Sequence, residues 1–135
     1  MTRGLRNNNP LNIRLGGDRW QGEVVPSQDR AFKQFSTMAW GYRAAFKLLN
    51  NYRRLHGCRN LADFIERWAP PSENDTHAYI DAVAKRARIS DLTQIDTQDG
   101  DLMCRIVAAM SRVENGVDAD MDQIEEGWRL YRQNP

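Results

Sequence analysis

Three glutamates stand where a carboxyl group can do acid–base chemistry: Glu23 in WQGEVV, Glu73 in WAPPSENDT and Glu114 in SRVENGV. Glu114 ends a long apolar segment of helical periodicity, and the Asn115-Gly116 pair behind it is typical of a helix terminus. The negative end of the helix dipole and partial burial both favour the protonated carboxyl there. A carboxyl group that keeps its proton near neutral pH can donate it to a leaving oxygen, so Glu114 is the candidate general acid.

Each acidic residue also has a simpler interpretation. Glu114 can point into water beside a common helix stop, and Glu23 can lie on the exposed face of a predicted hairpin. Glu73 precedes a predicted helix start, where an acid stabilises free N–H groups without any catalytic role. Asp29 can orient a water or a sugar hydroxyl, or cap its own turn. If a second carboxylate assists Glu114, we expect it to be Glu23 or Asp29.

Four asparagines crowd the stretch LRNNNPLNIR near the start of the chain. Amide side chains offer donors and an acceptor, which suit sugar hydroxyls and N-acetyl groups. Trp20, flanked by Gly22 in the predicted hairpin, has room to stack on a flat ligand such as a sugar ring. The same asparagines can equally serve turns and helix caps. The four are Asn7, Asn8, Asn9 and Asn12.

The composition indicates one domain spanning residues 1–135. The 135 residues, 41% of them apolar, suffice for one core and are too few for two ordinary domains. The 19 basic and 18 acidic residues nearly cancel, so we expect no nucleic-acid partner. No apolar run approaches the roughly 18 residues of a membrane span, and the first residues lack the apolar core of a signal peptide. We expect a monomer made in the cytoplasm, without membrane insertion.

Other common chemistries lack their residues. Cys58 and Cys104 have no zinc-ligand spacing and are expected to be buried free thiols. His56 and His77 have no Ser or Cys nucleophile beside them and are expected at the surface. No glycine-rich phosphate loop is present. We therefore expect no metal and no organic cofactor.

The pattern along the chain predicts an α+β fold that is predominantly helical, with a small N-terminal hairpin. Turn formers at Gly16-Gly17-Asp18 and Pro26-Ser27 separate short runs, which favours two or three short strands before Phe35. Helical spacing then predicts a helix over about residues 38 to 55, with Ser36 or Thr37 as N-cap and Gly57 at its end.

Four further helices follow from caps and apolar stripes. Asn60 can cap a helix that Pro70-Pro71 ends, and Thr76 can cap the next. The most apolar helix, beyond Asp99, is expected to be central and buried, and the last to pack on the others. Their predicted stripes are Leu61, Phe64, Ile65 and Trp68; Tyr79, Ala82, Val83 and Ala87; Leu102, Met103, Ile106, Val107, Ala109, Met110 and Val113; and Met121, Ile124, Trp128 and Tyr131.

Several stretches together resemble a known family. In order they are RGLRNNNPLNIR, WQGE, DRAFKQF, WGYRAAFKLLNNY, RWAPPSENDTHAYIDAVA and VENG, covering about residues 3 to 116. They resemble the small lysozyme-like lytic proteins of phages and prophages, including the virion-associated lysin of an enveloped RNA phage. A chain of several motifs in one order is far more specific than any one of them.

The resemblance implies a lysozyme-like single domain that cleaves the β-1,4 glycan strands of peptidoglycan, as a muramidase or a lytic transglycosylase. Glu114 would be the acid. The implied partners are peptidoglycan and, for delivery to the cell wall, virion components or a holin, because no export signal is visible. The side chains expected to bind the glycan are Asn7, Asn8, Asn9, Asn12, Arg14, Trp20, Glu73, Asn74 and Tyr79.

Two departures from the family pattern matter. In related enzymes the helix that ends in the catalytic glutamate precedes the asparagine-rich segment, whereas here only six residues precede Asn7. We therefore hypothesise a circular permutation in which Asn7 to Arg14 pack beside Glu114. Leu11 stands where the family usually has glycine, and a positive φ at that position would strain the turn.

Two other classes of function compete with the enzyme. One is a virion structural or glycan-binding protein that keeps the fold without turnover. The other is a peptidase acting on the peptide stems, for which the chain lacks a convincing zinc set or Cys/His pair.

Overall fold

The computed structural model describes residues 1–135 and is predominantly helical, with a small two-stranded antiparallel sheet. The predicted α+β composition is therefore confirmed. The elements in chain order are α1 (Arg3–Arg6), β1 (Glu23–Val24), β2 (Gln34–Phe35), α2 (Met38–His56), α3 (Leu61–Trp68), α4 (Thr76–Ala87), α5 (Gly100–Asn115) and α6 (Met121–Gln133).

Side-chain caps begin the helices, mostly where the sequence predicts them. Thr37 caps α2, and Asn60 caps α3 in a capping box with Asp63. The predicted cap of α4 is wrong by one residue. Asp75, one residue before Thr76, is the N-cap, and its side chain accepts the Ala78 N–H. The Thr76 hydroxyl instead donates to the Ala69 carbonyl.

The sheet has two strands, the lower of the two predicted numbers. Glu23 pairs with Phe35 and Val24 with Gln34, and the expected third strand is reduced to a single bridge between Arg14 and Phe32. So short a ladder has little stability alone.

Two close contacts join α2 and α6. Gly127 of α6 lies against α2, where a Cβ would be 2.6 Å from the Tyr42 Cβ and 2.9 Å from the Ala39 carbonyl oxygen. Next to it, the Phe46 and Trp128 rings meet edge to face, with their centroids 5.0 Å apart. The small residue thus lets α2 and α6 approach, and the aromatic pair fills the space beside them.

The predicted central helix, α5, packs against α1, α2, α4 and α6. Its apolar face is buried except for Val113, which is 37% exposed because α5 ends two residues later and an exposed turn follows. The prediction that Val113 belongs to the core is wrong. Met121 is likewise 44% exposed, because it is the first residue of α6 and follows exposed Asp120.

The remaining stripe residues follow the prediction more closely. Leu61, Phe64 and Ile65 of α3 are buried, while Trp68 is half-buried. On α4, Tyr79, Val83 and Ala87 are buried and Ala82 is partly exposed.

None of the helices combines the length and apolar character needed to cross a lipid bilayer. Both cysteines are free, Cys58 buried and Cys104 half-buried. His56 and His77 are exposed, as predicted.

Candidate active site

The side chains of the asparagine-rich segment form hydrogen bonds with the hairpin. Asn9 is fully buried; its Nδ2 donates to the carbonyl oxygens of Ile13 at 3.0 Å and Lys33 at 2.8 Å, and its Oδ1 accepts the Ile13 N–H at 2.9 Å. The Asn7 side chain donates to Asp29, and that of Asn8 to the Phe35 carbonyl. These three amides are engaged inside the protein, so the structure does not bring them to a sugar-sized cavity as predicted.

Left-handed backbone explains part of the asparagine content. Asn8 has φ 51° and Asn12 has φ 55°, a region that asparagine tolerates better than most residues. Leu11 is not among the residues of positive φ; it is fully buried in the core. The strain anticipated at Leu11 is therefore absent, because the left-handed turn falls one residue later, on Asn12.

A cavity of about 400 Å³ lies between the N-terminal segment, α2, α3 and the end of α5. Seven of its twelve lining residues are apolar or aromatic, and polar groups stand among them. Such a lining fits a ligand with both flat apolar faces and hydroxyl groups. The lining residues are Leu11, Asn12, Ile13, Arg14, Phe32, Leu48, Tyr52, Trp68, Ala69, Glu73, Asn74 and Glu114.

Glu114 reaches this cavity from the last turn of α5. Both of its carboxyl oxygens are held: Tyr79 Oη donates to Oε2 at 2.8 Å, and Asn12 Nδ2 donates to Oε1 at 3.2 Å. The side chain is half-buried, so it is fixed yet accessible from the cavity. Gly116, with φ 73°, ends α5 directly behind it.

Tyr79 is positioned by a hydrogen bond from behind. Trp68 Nε1 donates to Tyr79 Oη at 3.2 Å, and the tyrosine is 8% exposed. Burial, together with the nearby Glu114 carboxylate, raises the pKa of Tyr79 far above its ordinary value. The phenol therefore stays protonated and acts as a permanent donor to Glu114.

Asn115 fastens the start of the chain to α5. Its Nδ2 donates to the Pro10 carbonyl at 2.9 Å, and its Oδ1 accepts the Thr2 hydroxyl at 2.8 Å. Gly4 makes room for this contact, since a Cβ there would lie 2.7 Å from the Asn115 Oδ1. Sequence patterns do not predict that Asn115 bonds to the start of the chain. The only local indication of a role is that it directly follows Glu114.

The other predicted carboxylates lie elsewhere. Glu23 forms a buried ion pair with Lys33, 2.9 Å apart, and accepts the Trp20 N–H. Asp29 pairs with Arg3 through two hydrogen bonds of 2.6 and 2.7 Å. Neither lines the Glu114 cavity. Neither Glu23 nor Asp29 therefore lies at the cavity as the second carboxylate, because the pairs with Lys33 and Arg3 hold them elsewhere.

Four predicted substrate-binding residues remain to be placed. Arg14, Glu73 and Asn74 line the cavity from exposed positions. Trp20 is half-buried and lies at a different depression, beside Arg43 and Pro135, because the hairpin folds it back onto α2. No group of three or more His, Cys, Asp or Glu side chains is arranged to hold a metal ion.

Acid is expected to weaken the fold through Asp29. Hydrogen bonds from Arg3, then from the Ala31 amide and from Asn7, hold the pKa of Asp29 well below its ordinary value. Because the folded-state pKa is depressed, the carboxylate stabilises the protein above the unfolded-state value of about 4, and this contribution is lost as the pH falls below it. Urea unfolding between about pH 7 and about pH 3 should show the loss.

Asp29→Asn should flatten this pH dependence. The matched control is Asp18→Asn, since Asp18 is exposed and makes no ion pair, and this variant should follow the wild type. An unchanged slope in Asp29→Asn would show that the Arg3 pair does not govern acid sensitivity.

The chain is similar in sequence to a bacteriophage protein. It is 37% identical over 135 residues to protein P5 of Pseudoalteromonas phage PM2, in a match that covers 96% of this chain and 82% of the phage protein. The chain belongs to the protein P5 family. No protein-family model matches it.

The similarity to P5 covers nearly the whole chain, so it takes in most of the elements around the cavity. It shows that the chain has a relative encoded by a phage. The name P5 describes no activity, and the structural feature that bears on chemistry is the cavity with Glu114.

Proposed function

We propose that this protein cleaves the glycan strands of peptidoglycan, as a muramidase or a lytic transglycosylase, with Glu114 as the general acid. The observation that carries the proposal is the placement of Glu114, which is half-buried at the end of α5, faces the 400 Å³ cavity and is held at both oxygens. A single oriented carboxyl at the wall of a mixed polar and aromatic cavity can protonate a glycosidic oxygen, and a second group, or the sugar itself, then supplies the nucleophile.

The two donors on Glu114 support this chemistry. As the acid gives its proton to the glycosidic oxygen, a negative charge develops on the carboxyl group, and the hydrogen bonds from Tyr79 and Asn12 stabilise that charge. The Asn12 Oδ1 is buried without a partner. Rotating the Asn12 amide by a half-turn would present an acceptor to the protonated form, so this side chain can serve both states of the acid.

Whether the cleaved sugar is hydrolysed or forms an anhydro ring depends on the other groups that line the cavity. Glu73 is the other carboxylate at the cavity, on the loop between α3 and α4. If Glu73 activates a water, the product is a hydrolysed reducing end. Without such help, a hydroxyl of the same sugar attacks the anomeric carbon and closes an anhydro ring, which is lytic transglycosylation.

The fold proposed for this activity is a lysozyme-like domain with permuted chain order. In support, the N-terminal segment packs against the last turn of α5 through the bonds from Asn115 to Pro10 and from Asn12 to Glu114. The site of action is the bacterial cell wall, reached from a virion or with the help of a holin.

Digestion of purified sacculi tests the function. The wild-type protein should release soluble muropeptides, and mass spectrometry should identify each as hydrolysed or as the anhydro form, which is lighter by one water. Cosedimentation with sacculi without any release would instead indicate a glycan-binding or virion structural protein, and would overturn the enzymatic proposal.

Tyr79→Phe should lower kcat by about tenfold or more, since it removes one donor to a charged carboxyl and keeps the ring. The matched control is Tyr131→Phe, which removes a buried hydroxyl that accepts from Gln98, outside the cavity lining. Initial rates of muropeptide release measure the effect. Full turnover by Tyr79→Phe would reduce Tyr79 to a packing role.

A further inference from the structure

A second depression, of about 450 Å³, lies where α4 ends, α5 passes and α6 begins. It shares no lining residue with the Glu114 cavity. Four of its nine lining residues are arginines, and Asp118 is its one acid. In a chain whose formal net charge is only +1, this is a local concentration of positive charge.

The sequence of α5 builds the floor of this depression. Arg105, Ala108, Ala109 and Arg112 follow one another at helical spacing, so they share one face. The two alanines leave a shallow floor, and the two arginines stand at its ends, separated along the helix axis by about 10 Å.

The end of α4 adds the other two cations. Arg86 lies in its last turn, and Arg88 caps the helix in the left-handed region, with φ 59°. Glycine is the usual residue for that backbone, because a Cβ crowds the following carbonyl oxygen there. Arg88 thus lines the depression from the end of α4, at a backbone conformation that does not favour a side chain.

The Asp118 carboxylate forms ion pairs with two of these arginines. Its Oδ1 lies 3.4 Å from Arg86 Nη1 and also 3.4 Å from Arg112 Nε, while its side chain is 83% exposed. Two guanidinium groups from different helices therefore converge on one oxygen that an exposed side chain can vacate. Arg88 makes no ion pair; Arg105 Nε pairs with the exposed Asp101, and Arg105 Nη1 donates to the Ala87 carbonyl.

We propose that this depression, the arginine site, binds a phosphate group. A phosphate carries more charge than a carboxylate and accepts hydrogen bonds in several directions, which matches guanidinium groups arriving from two helices. The group belongs either to a small phosphate compound or to a lipid headgroup, and both present the same chemistry to the site. This function is independent of the glycan cavity.

Titration with inorganic phosphate and with pyrophosphate, followed by 15N–1H NMR, tests the site. In the wild type, amide shifts of the α4 end, of α5 and of the α6 start should saturate at millimolar ligand. Arg86→Gln/Arg88→Gln should weaken binding by about tenfold or more. The matched control is Arg30→Gln/Arg54→Gln, which removes the same charge from two exposed positions outside the site and should change affinity by less than about twofold.

Vesicle cosedimentation separates the two sources of the phosphate. Retention on phosphatidylglycerol vesicles, but not on phosphatidylcholine vesicles, that is lost in Arg86→Gln/Arg88→Gln identifies a lipid headgroup. Binding of the inorganic probes without vesicle retention identifies a small phosphate compound. Non-saturating shifts with both probes together with no vesicle retention, or equal weakening by the control variant, overturns the proposal. The single variant Arg88→Gln repeats the test with minimal change to the fold.

Discussion

Glu114→Gln should lower the rate of muropeptide release by about 10²- to 10⁴-fold, the range that a positioned general acid contributes. Glutamine keeps the size of the side chain and can still hydrogen bond to Tyr79 and Asn12, but its amide is not acidic enough to transfer a proton. The loss should therefore appear in kcat, while affinity for sacculi and the free energy of unfolding change little.

Matched substitutions decide whether the effect belongs to this one acid. Glu125→Gln makes the same chemical change at an exposed position on α6 and should retain wild-type rates. Glu73→Gln and Glu23→Gln test the other candidates, with thermal unfolding as the check on the buried Glu23 pair. If Glu114→Gln is fully active and one of these is inactive, the acid has been assigned to the wrong residue.

Gly41→Ala should lower the free energy of unfolding by about 3 kcal/mol, at the upper end of the usual cost of overpacking. A Cβ at Gly41 would lie 2.1 Å from the Asn8 carbonyl oxygen and 2.7 Å from Pro10 Cδ. The oxygen belongs to the backbone and cannot move alone, so α2 and the asparagine-rich segment must separate. This loss exceeds the gain of about 1 kcal/mol that alanine brings inside a helix.

Urea denaturation measures this change, with Gly16→Ala as the control. A Cβ at Gly16 would meet no atom within 4 Å, and Gly16 is not a residue of positive φ, so its substitution should stay within about 0.5 kcal/mol of the wild type. Because the segment that Gly41 supports also carries Asn12, muropeptide release should fall in Gly41→Ala. Unchanged stability would mean that α2 and this segment are not in close contact.

The helices can be predicted because their signals are local. Asn60 and Gly57 are correctly predicted as helix boundaries, and Thr37 is one of the two predicted caps of α2, since a cap involves only neighbouring residues. The four-residue helix α1 is not predicted, because so short a segment shows no periodicity. Val113 and Met121 are wrongly assigned to the core for a different reason: periodicity identifies a face of a helix but not how far its partners cover that face.

The candidate site is predictable only in part. The position of Glu114 at a helix end singles it out in the sequence, and the structure places it at a cavity. The asparagines cannot be sorted from sequence, because their partners are distant: Asn9 bonds to Lys33, and Asn12 bonds to Glu114. Glu23, one of two candidates for an assisting carboxylate, does not line the cavity, and nothing local in the sequence reveals that Lys33 faces it across the hairpin.

The bonds from Asn115 to Pro10 and from Asn12 to Glu114 join residues 105 and 102 positions apart. Loop closure on this scale carries a large entropic cost that must be met before such contacts contribute stability. We therefore expect the cavity wall to be assembled late in folding, after α5 has formed and docked. In refolding experiments, recovery of turnover should lag behind recovery of helical circular dichroism, and a nascent chain lacking its final third should have no competent groove.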